Sequence, residues 1–437
     1  MAFRTDHGSH FGFCWLSEVS GVAVATPSGS TETDRGPLIE RGLNDSAVLG
    51  EVGTRLKKDP VLHIGRCTDG AVGLLLTALT ENQDRPLLVL TSSPDAAQQL
   101  RQDVATFSAR PIGDFPMWES LFEEDSEPDL DTFRDRIETM RDLESGQIKT
   151  VIAPVQAVLQ PIGQETGEDH RVVLRVGDRR SRGDLARNLV EAGYRRFPQV
   201  ARPGDFAIRG SLFDVWPRES PTPYRIDFFD DEIDAIQSIS PRDQRVSGDL
   251  ELVVLSLAPR DSWFIRGWTG TQKLLFDALP KGSVVAVWNP KEVEERAHFL
   301  IGQWASGHRQ VLAESFWERA GRHVRLQLDP LIPEGGHRPL QLPVVSADRY
   351  QGSLEGTVSA LAEVSDRGEE VVVFLRQEAE GERFREVLSE SNVGPTVRVR
   401  MGQLSTGFRW HEDGGGIFVS GNAALGRKRS LEKKETR

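Results

Sequence analysis

The sequence predicts an α/β multidomain protein, in which a parallel-sheet domain is interrupted by a small inserted α+β module and followed by a second small α/β domain. Three observations carry this. From Pro60 onward short buried apolar runs alternate with helical patterns in the order strand, helix, strand, helix. Residues 204–245 show strand alternation with no helical stripe between the runs. After residue 345 a fresh strand and helix pattern begins. A chain of 437 residues can form about three domains, each with its own core.

Residues 1–45 are rich in Gly, Ser, Thr and His with few apolar patches, and read as a disordered lead-in. The segment 46–166 is the first half of the parallel-sheet domain. Within it VLHI is a short strand, residues 65–70 a loop, residues 71–79 a helix, PLLVLTSS a second strand and DAAQQLRQDVATF a second helix. The acidic stretch 118–146 follows, with Ile137, Met140 and Leu143 on one helical stripe, and leads into a strand over KTVIAPVQAVLQP.

Residues 167–256 form the inserted module. The strand HRVVLRV precedes a helix from Asp184 to Ala192, with Ser181 and Asp184 at capping-box spacing, Gly193 as its stop, and Leu185, Leu189 and Val190 facing inward. Phe206, Ile208 and Leu212 to Trp216 make a strand pair in which Gly210 meets the need of a bulge or a close backbone approach, and Pro217 ends the strand. The run YRIDFF sets Arg225, Asp227 and Phe229 on one face against Tyr224, Ile226 and Phe228 on the other. Arginine and aromatic side chains are common interface anchors, so the first face is a candidate protein contact. The alternative is a cross-strand salt bridge from Arg225 to an acid, with Phe229 tucked under a loop. Residues 257–345, including the strand SVVAVW, return to the first sheet, and 346–437 form the last domain with a basic, helix-prone tail. Trp304 and Trp317 read as packing residues rather than base-stacking positions.

Composition excludes several function classes. The formal net charge is -13 and no long basic stripe precedes the last dozen residues, so autonomous nucleic-acid binding is not expected and protein partners are. The two cysteines, Cys14 and Cys67, lie far apart without metal-ligand spacing, which indicates neither a disulfide framework nor a zinc site. Neither a membrane segment nor a targeting signal is recognised, and the compartment reads as cytoplasmic. His308, His323 and His411 have no spaced partners, and Asp230, Asp231 and Glu232 read as a solvated turn. No catalytic residue, metal site or cofactor is assigned.

The loop GRCTDGAV over Gly65 to Val72 keeps the glycine spacing of a phosphate-binding loop between a strand and a helix. Such a loop needs a lysine for the β- and γ-phosphates and a hydroxyl for magnesium. Gly65 and Gly70 remain, but Ala71 and Val72 occupy those two positions. After the strand SVVAVW, Asn289 and Pro290 stand where an acidic pair would hold magnesium. A plain loop with two glycines is the other reading, and both predict no ATPase.

The block from Gly204 to Arg245 is similar to the UvrA-contacting module shared by the repair protein UvrB and the transcription-repair coupling factors. Asp205 and Phe206, Arg209 and Gly210, residues 213–217, 225–229 and 231–233, and Gln244 and Arg245 carry the resemblance. Trp118-Glu119, residues 153–159 and the stretch LSTGFRWHEDGGGIFV extend it to the first and third domains of the coupling factor. The resemblance implies a degenerate RecA-like, UvrB-like first domain over 46–166 and 257–345, a UvrA-binding module over 167–256 and a third domain over 346–437. It implies UvrA as partner, gripped by Arg209, Arg225 and Phe229, in nucleotide excision repair. The full-length family is an ATP-driven DNA translocase. Its RNA-polymerase-binding and motor modules follow the segment that this chain resembles, so a separate motor chain is a further expected partner. The three tyrosines, Tyr194, Tyr224 and Tyr350, are not clustered as in the DNA-clamping hairpin of UvrB. Two alternatives are a UvrB-like ATP-dependent DNA-remodelling enzyme and a truncated remnant without activity.

Overall fold

The computed structural model describes residues 46–82, 85–118, 130–160, 162, 171–218, 220, 222–257, 273–303, 306–332, 339–347, 354–391, 396–412 and 415–425. The predicted lead-in, Cys14, Trp304 and the basic tail lie outside them. The first helix, α1 (Ala47–Lys58), is capped by the Ser46 side chain, which accepts from the Leu49 amide. There follow β1 (Leu62–Gly65), α2 (Asp69–Asn82), β2 (Leu87–Thr91), α3 (Pro94–Phe107), β3 (Ile112–Asp114), α4 (Leu130–Ser145), β4 (Thr150–Pro154) and α5 (Val155–Leu159). Ser93 caps α3 ahead of Pro94 at its first position, where a missing N–H costs nothing. Ile137, Met140 and Leu143 of α4 are buried as expected, Met140 and Leu143 in one core and Ile137 in a small cluster with Phe133. The expected long strand after Lys149 stops at Pro154, and residues 155–159 turn into a short helix buried at every position. Pro154 has no N–H with which to continue a ladder, and its fixed φ of -68 suits the residue before a helix.

The central module contains β5 (Arg171–Arg175), α6 (Arg182–Glu191), β6 (Arg195–Arg196), β7 (Asp205–Arg209), β8 (Leu212–Val215), β9 (Tyr224–Phe229), β10 (Glu232–Ile239), β11 (Val246–Leu250) and β12 (Leu252–Ser256). Strands β6 to β11 form a six-stranded sheet in sequence order, antiparallel except for β6 with β7. The antiparallel pair β5 and β12 forms a separate ribbon. One core joins ribbon, helix and sheet through Leu174, Leu185, Leu189, Phe206, Phe213, Ile226, Phe228, Ile233 and Val253. The Ser181 side chain caps α6 at the Asp184 amide, and Gly193, at φ +81, ends it. Val190 is exposed rather than inward, because it lies about 100° around the helix from Leu189, beyond the stripe that meets the sheet. Gly210 makes no bulge. Arg209 pairs with Leu212, so Gly210 and Ser211 are a two-residue hairpin turn, and the glycine supplies its φ of +62.

The remaining elements are β13 (Val284–Trp288), α7 (Pro290–Gly302), α8 (Ser306–His323), β14 (Val324–Leu328), β15 (Leu340–Gln341), β16 (Val344–Ser346), α9 (Leu354–Asp366), β17 (Glu370–Leu375), α10 (Glu378–Glu390), β18 (Val397–Met401), β19 (Phe408–Trp410), β20 (Gly416–Ser420) and α11 (Gly421–Ala424). Strands β13, β14 and β15 complete a seven-stranded, all-parallel sheet in the order β15-β1-β14-β13-β2-β4-β3. Of its five inner strands, β2, β4 and β13 are buried at every residue, as expected of strands covered on both faces.

The last sheet runs β16-β19-β20-β17-β18. In β17 the residues Val371, Val373 and Leu375 join the core that contains Leu361 and Phe384 of the covering helices. Val372 and Phe374 instead enter the core of the seven-stranded sheet, with Phe408, Phe418 and Leu404. Phe107 of α3 is the joint, with its ring edge-on to those of Phe374, Phe408 and Phe418 at 5.6, 6.4 and 6.1 Å.

Candidate functional site

Two places were marked by the sequence, one on the six-stranded sheet and one at the end of β1. On the sheet, pleating sends Phe213, Ile226 and Phe228 into the core and leaves Arg209, Asp214, Arg225, Asp227 and Phe229 to the other face. Asp214 stands directly opposite Arg225. Arg225 Nε donates to Asp214 Oδ1 at 2.7 Å and its Nη2 to Oδ2 at 2.9 Å, a two-pronged pair. Arg209, two residues beyond the Asp214 partner Ala207, donates from Nη2 to the same Oδ2 at 2.6 Å. One carboxylate thus ties three neighbouring strands.

The trio is graded in depth. The Asp214 side chain is 1% exposed, that of Arg225 16% and that of Arg209 46%. Hydrogen bonding to Asp214 raises Arg225 above its ordinary value against the opposing effect of burial. Four residues on from Arg225 along β9, on the same face, Phe229 is 79% exposed. The salt bridge of the alternative reading is therefore present, but its tucked phenylalanine is not. The structure brings Arg209 and Arg225 onto one acid and leaves the Phe229 ring in solvent. Asp214 itself went unassigned by sequence reasoning. Its signal was a lone acid inside the apolar run Phe213 to Val215.

The turn after Phe229 is built from Asp230, at φ +59, and Asp231, whose carbonyl accepts from the Arg180 amide at 2.7 Å. Glu232 lies 3.7 Å from exposed Arg179. The Asp231 carbonyl and the Glu232 carboxylate thus meet the loop before α6. Among the described residues no group of His, Cys, Asp or Glu could hold a metal ion, and no helix is long and apolar enough to cross a membrane.

At the end of β1 three of the loop amides are bonded within the chain. Arg66, at φ +59, donates its N–H to the Leu331 carbonyl at 3.3 Å, and Cys67 donates to that of Asp329 at 2.9 Å. Gly70 N donates to Thr406 Oγ1 at 3.1 Å, a partner 336 residues away. A Cβ at Gly70 would overlap the Thr406 carbonyl oxygen and lie 3.0 Å from Leu404 Cδ1. Beside them Asp103, buried on α3, accepts from the Ser405 amide and hydroxyl, both at 2.6 Å. Ala71 and Val72 are fully buried, and burial drives the Cys67 thiol far above its usual range. Asn289, at φ +54, precedes α7, and Trp288 before it is buried. Sequence reasoning missed the docking of residues 404–406, which no local pattern announces. Trp317 packs edge-on against Phe316 at 4.9 Å, beside the core.

Residues 172–260 match the UvrB interaction domain family. The chain is 31% identical over 295 residues to the transcription-repair-coupling factor of Escherichia coli, covering 62% of this chain and 26% of that protein. The Haemophilus influenzae protein of the same name is 28% identical over 311 residues, 65% of this chain and 27% of that one. That of Bacillus subtilis is 31% identical over 179 residues, 40% of this chain and 15% of that one. The chain spans about a quarter of the length of the first two.

Proposed function

We propose that this chain, a relative of the bacterial transcription-repair coupling factors that carries their UvrB interaction domain, works as a docking module for the excision-repair protein UvrA. One observation carries the reading. Within the matched segment an aromatic ring is held 79% exposed on the same sheet face as two arginines anchored to a buried acid. Leaving a phenylalanine in water gains the fold nothing, whereas a ring beside arginines is the usual composition of an interface anchor. Arg209, Arg225 and Phe229 are the proposed contacts.

The test is a titration of UvrA from the same organism against the chain and its Arg209→Ala, Phe229→Ala double variant, without DNA or nucleotide. Binding by the parent chain that is lost in the variant is the expected result. Equal affinity of the two would overturn the assignment of the face, and no binding by either would overturn the docking role.

The docking role requires no nucleotide hydrolysis by the residues present. The loop at Gly65 supports that, since Ala71 and Val72 stand where a lysine and a hydroxyl would be needed, the amides of Arg66, Cys67 and Gly70 are bonded within the chain, and Leu404 and Thr406 crowd Gly70. Added Mg-ATP is expected to leave the melting temperature unchanged. A rise at millimolar nucleotide would favour the alternative of an ATP-dependent enzyme.

A further inference from the structure

We infer that Asp214 is a positioning residue of the docking face, a buried carboxylate that sets Arg209 and Arg225 in one fixed orientation before any partner arrives. The inference rests on the docking reading and adds the residue through which the arginines act. Three hydrogen bonds converge on Asp214, two from Arg225 and one from Arg209, at 2.6 to 2.9 Å. With 1% of its side chain exposed, Asp214 cannot itself reach a partner. Its effect must pass through the two guanidinium groups.

What the carboxylate leaves open is specific. Bonding through Nε and Nη2 fixes the guanidinium plane of Arg225, and the carboxylate holds Arg209 by Nη2 alone. The other N–H groups of Arg209 have no partner among the described residues, and the side chain is nearly half exposed. The trio carries a net charge of +1, Asp227 on the same face acts on Arg225, and Arg209 is the most exposed of the three. Asp227 and Phe229 follow Arg225 on the same face of β9, and Leu212 pairs with Asp227. The fitting partner surface presents a carboxylate to the Arg209 donors beside an apolar pocket for the Phe229 ring. Long arginine side chains lose rotamer freedom when they bind, and anchoring them beforehand removes that cost from association.

A purely structural staple across β7, β8 and β9 is the competing account, and the sign of one substitution separates the two. Asp214→Asn keeps the volume and deletes the negative charge. If the carboxylate serves only the sheet, the folded variant has an extra net positive charge and binds an acidic partner as well as the parent or better. If it positions the arginines, affinity for UvrA falls at least about tenfold at both low and high salt. The loss is then less than additive with that of Arg209→Ala, since both act on one contact.

The experiment is a titration of UvrA against the parent chain, Asp214→Asn, Arg209→Ala and their combination, with folding checked by thermal melting. Weaker binding by a folded Asp214→Asn variant, with the non-additive cycle, is the expected result. Parent-like or tighter binding overturns the positioning role and leaves the docking reading standing. No binding by the parent overturns both. Should Asp214→Asn fail to fold, the free parent chain, carrying nitrogen-labelled arginine, supplies the answer by nuclear magnetic resonance. An Arg225 Nε–H as rigid as the backbone is expected, and a mobile one overturns the inference.

Discussion

Phe107 is the residue whose truncation best tests how the chain is joined. It belongs to α3 of the seven-stranded unit, is 1% exposed, and lies edge-on to three rings of the last sheet. A fully buried phenylalanine removes roughly 200 Å² from water, worth about 5 kcal/mol at 25 cal/mol per Å². Phe107→Ala keeps part of that and leaves a cavity, so about 3 to 5 kcal/mol is expected, against a typical total of about 5 to 15. A loss of about 4 kcal/mol multiplies the opening equilibrium by about a thousand. Because Leu62, Val89, Phe374 and Phe418 share one core with Phe107, the loss should spread to both sheets. The assay is hydrogen exchange by mass spectrometry on the parent and variant. Faster exchange in β1, β2, β17 and β20 together is expected, with β7 to β10 unchanged, since they have their own core. If only the last sheet accelerated, the two units would be separately stable bodies and the shared core would not be a cooperative one.

Three further outcomes follow from particular residues. Phe229→Ala should shift unfolding free energy by less than about 0.5 kcal/mol, because the ring is already in water, while costing about 2 kcal/mol or more in UvrA binding; a clear fall in melting temperature would place the ring in the core after all. Gly210→Ala forces a side chain to φ +62 with no neighbour in the way, so it should cost about 1 to 2 kcal/mol by denaturant titration, and Gly210→Asn should recover part of that; equal stability of Ala and Gly would refute the turn argument. His323, stacked on Phe276 at 5.8 Å, is held below its ordinary value of 6.5 by burial and by Arg322, with Asp277 opposing. The unfolded chain therefore takes up its proton first as pH falls. This group's contribution is constant above the unfolded value and lost on acidification from about 6.5 down through the folded value. His323→Phe should flatten the dependence of the urea midpoint between about pH 7 and 5, and an unchanged slope would exclude the group.

Much of the face proposed for docking was legible because strand periodicity is a local property. The alternation in YRIDFF was enough to separate Arg225, Asp227 and Phe229 from Tyr224, Ile226 and Phe228, and the buried Ile226 and Phe228 agree with it. It could not say which acid meets Arg225, since that depends on pairing register with β8. The helix at 155–159 was misread as strand because its apolar run has no periodicity that separates a short buried helix from a buried strand. Val190 was misplaced for a related reason, since an amphipathic stripe does not state its own width.

The sequence by itself determined most of the succession of strands and helices, the apolar identity of Ala71 and Val72 after Gly70, and the face on which Phe229 stands. Each follows from the order and spacing of neighbouring residues, which local backbone geometry converts directly into direction. Only the tertiary structure decided that Arg209 and Arg225 share Asp214 and that Leu404 and Thr406 seat against Gly70. Those contacts depend on strand register and on the burial of a common core, and both are settled by packing between segments far apart in the chain.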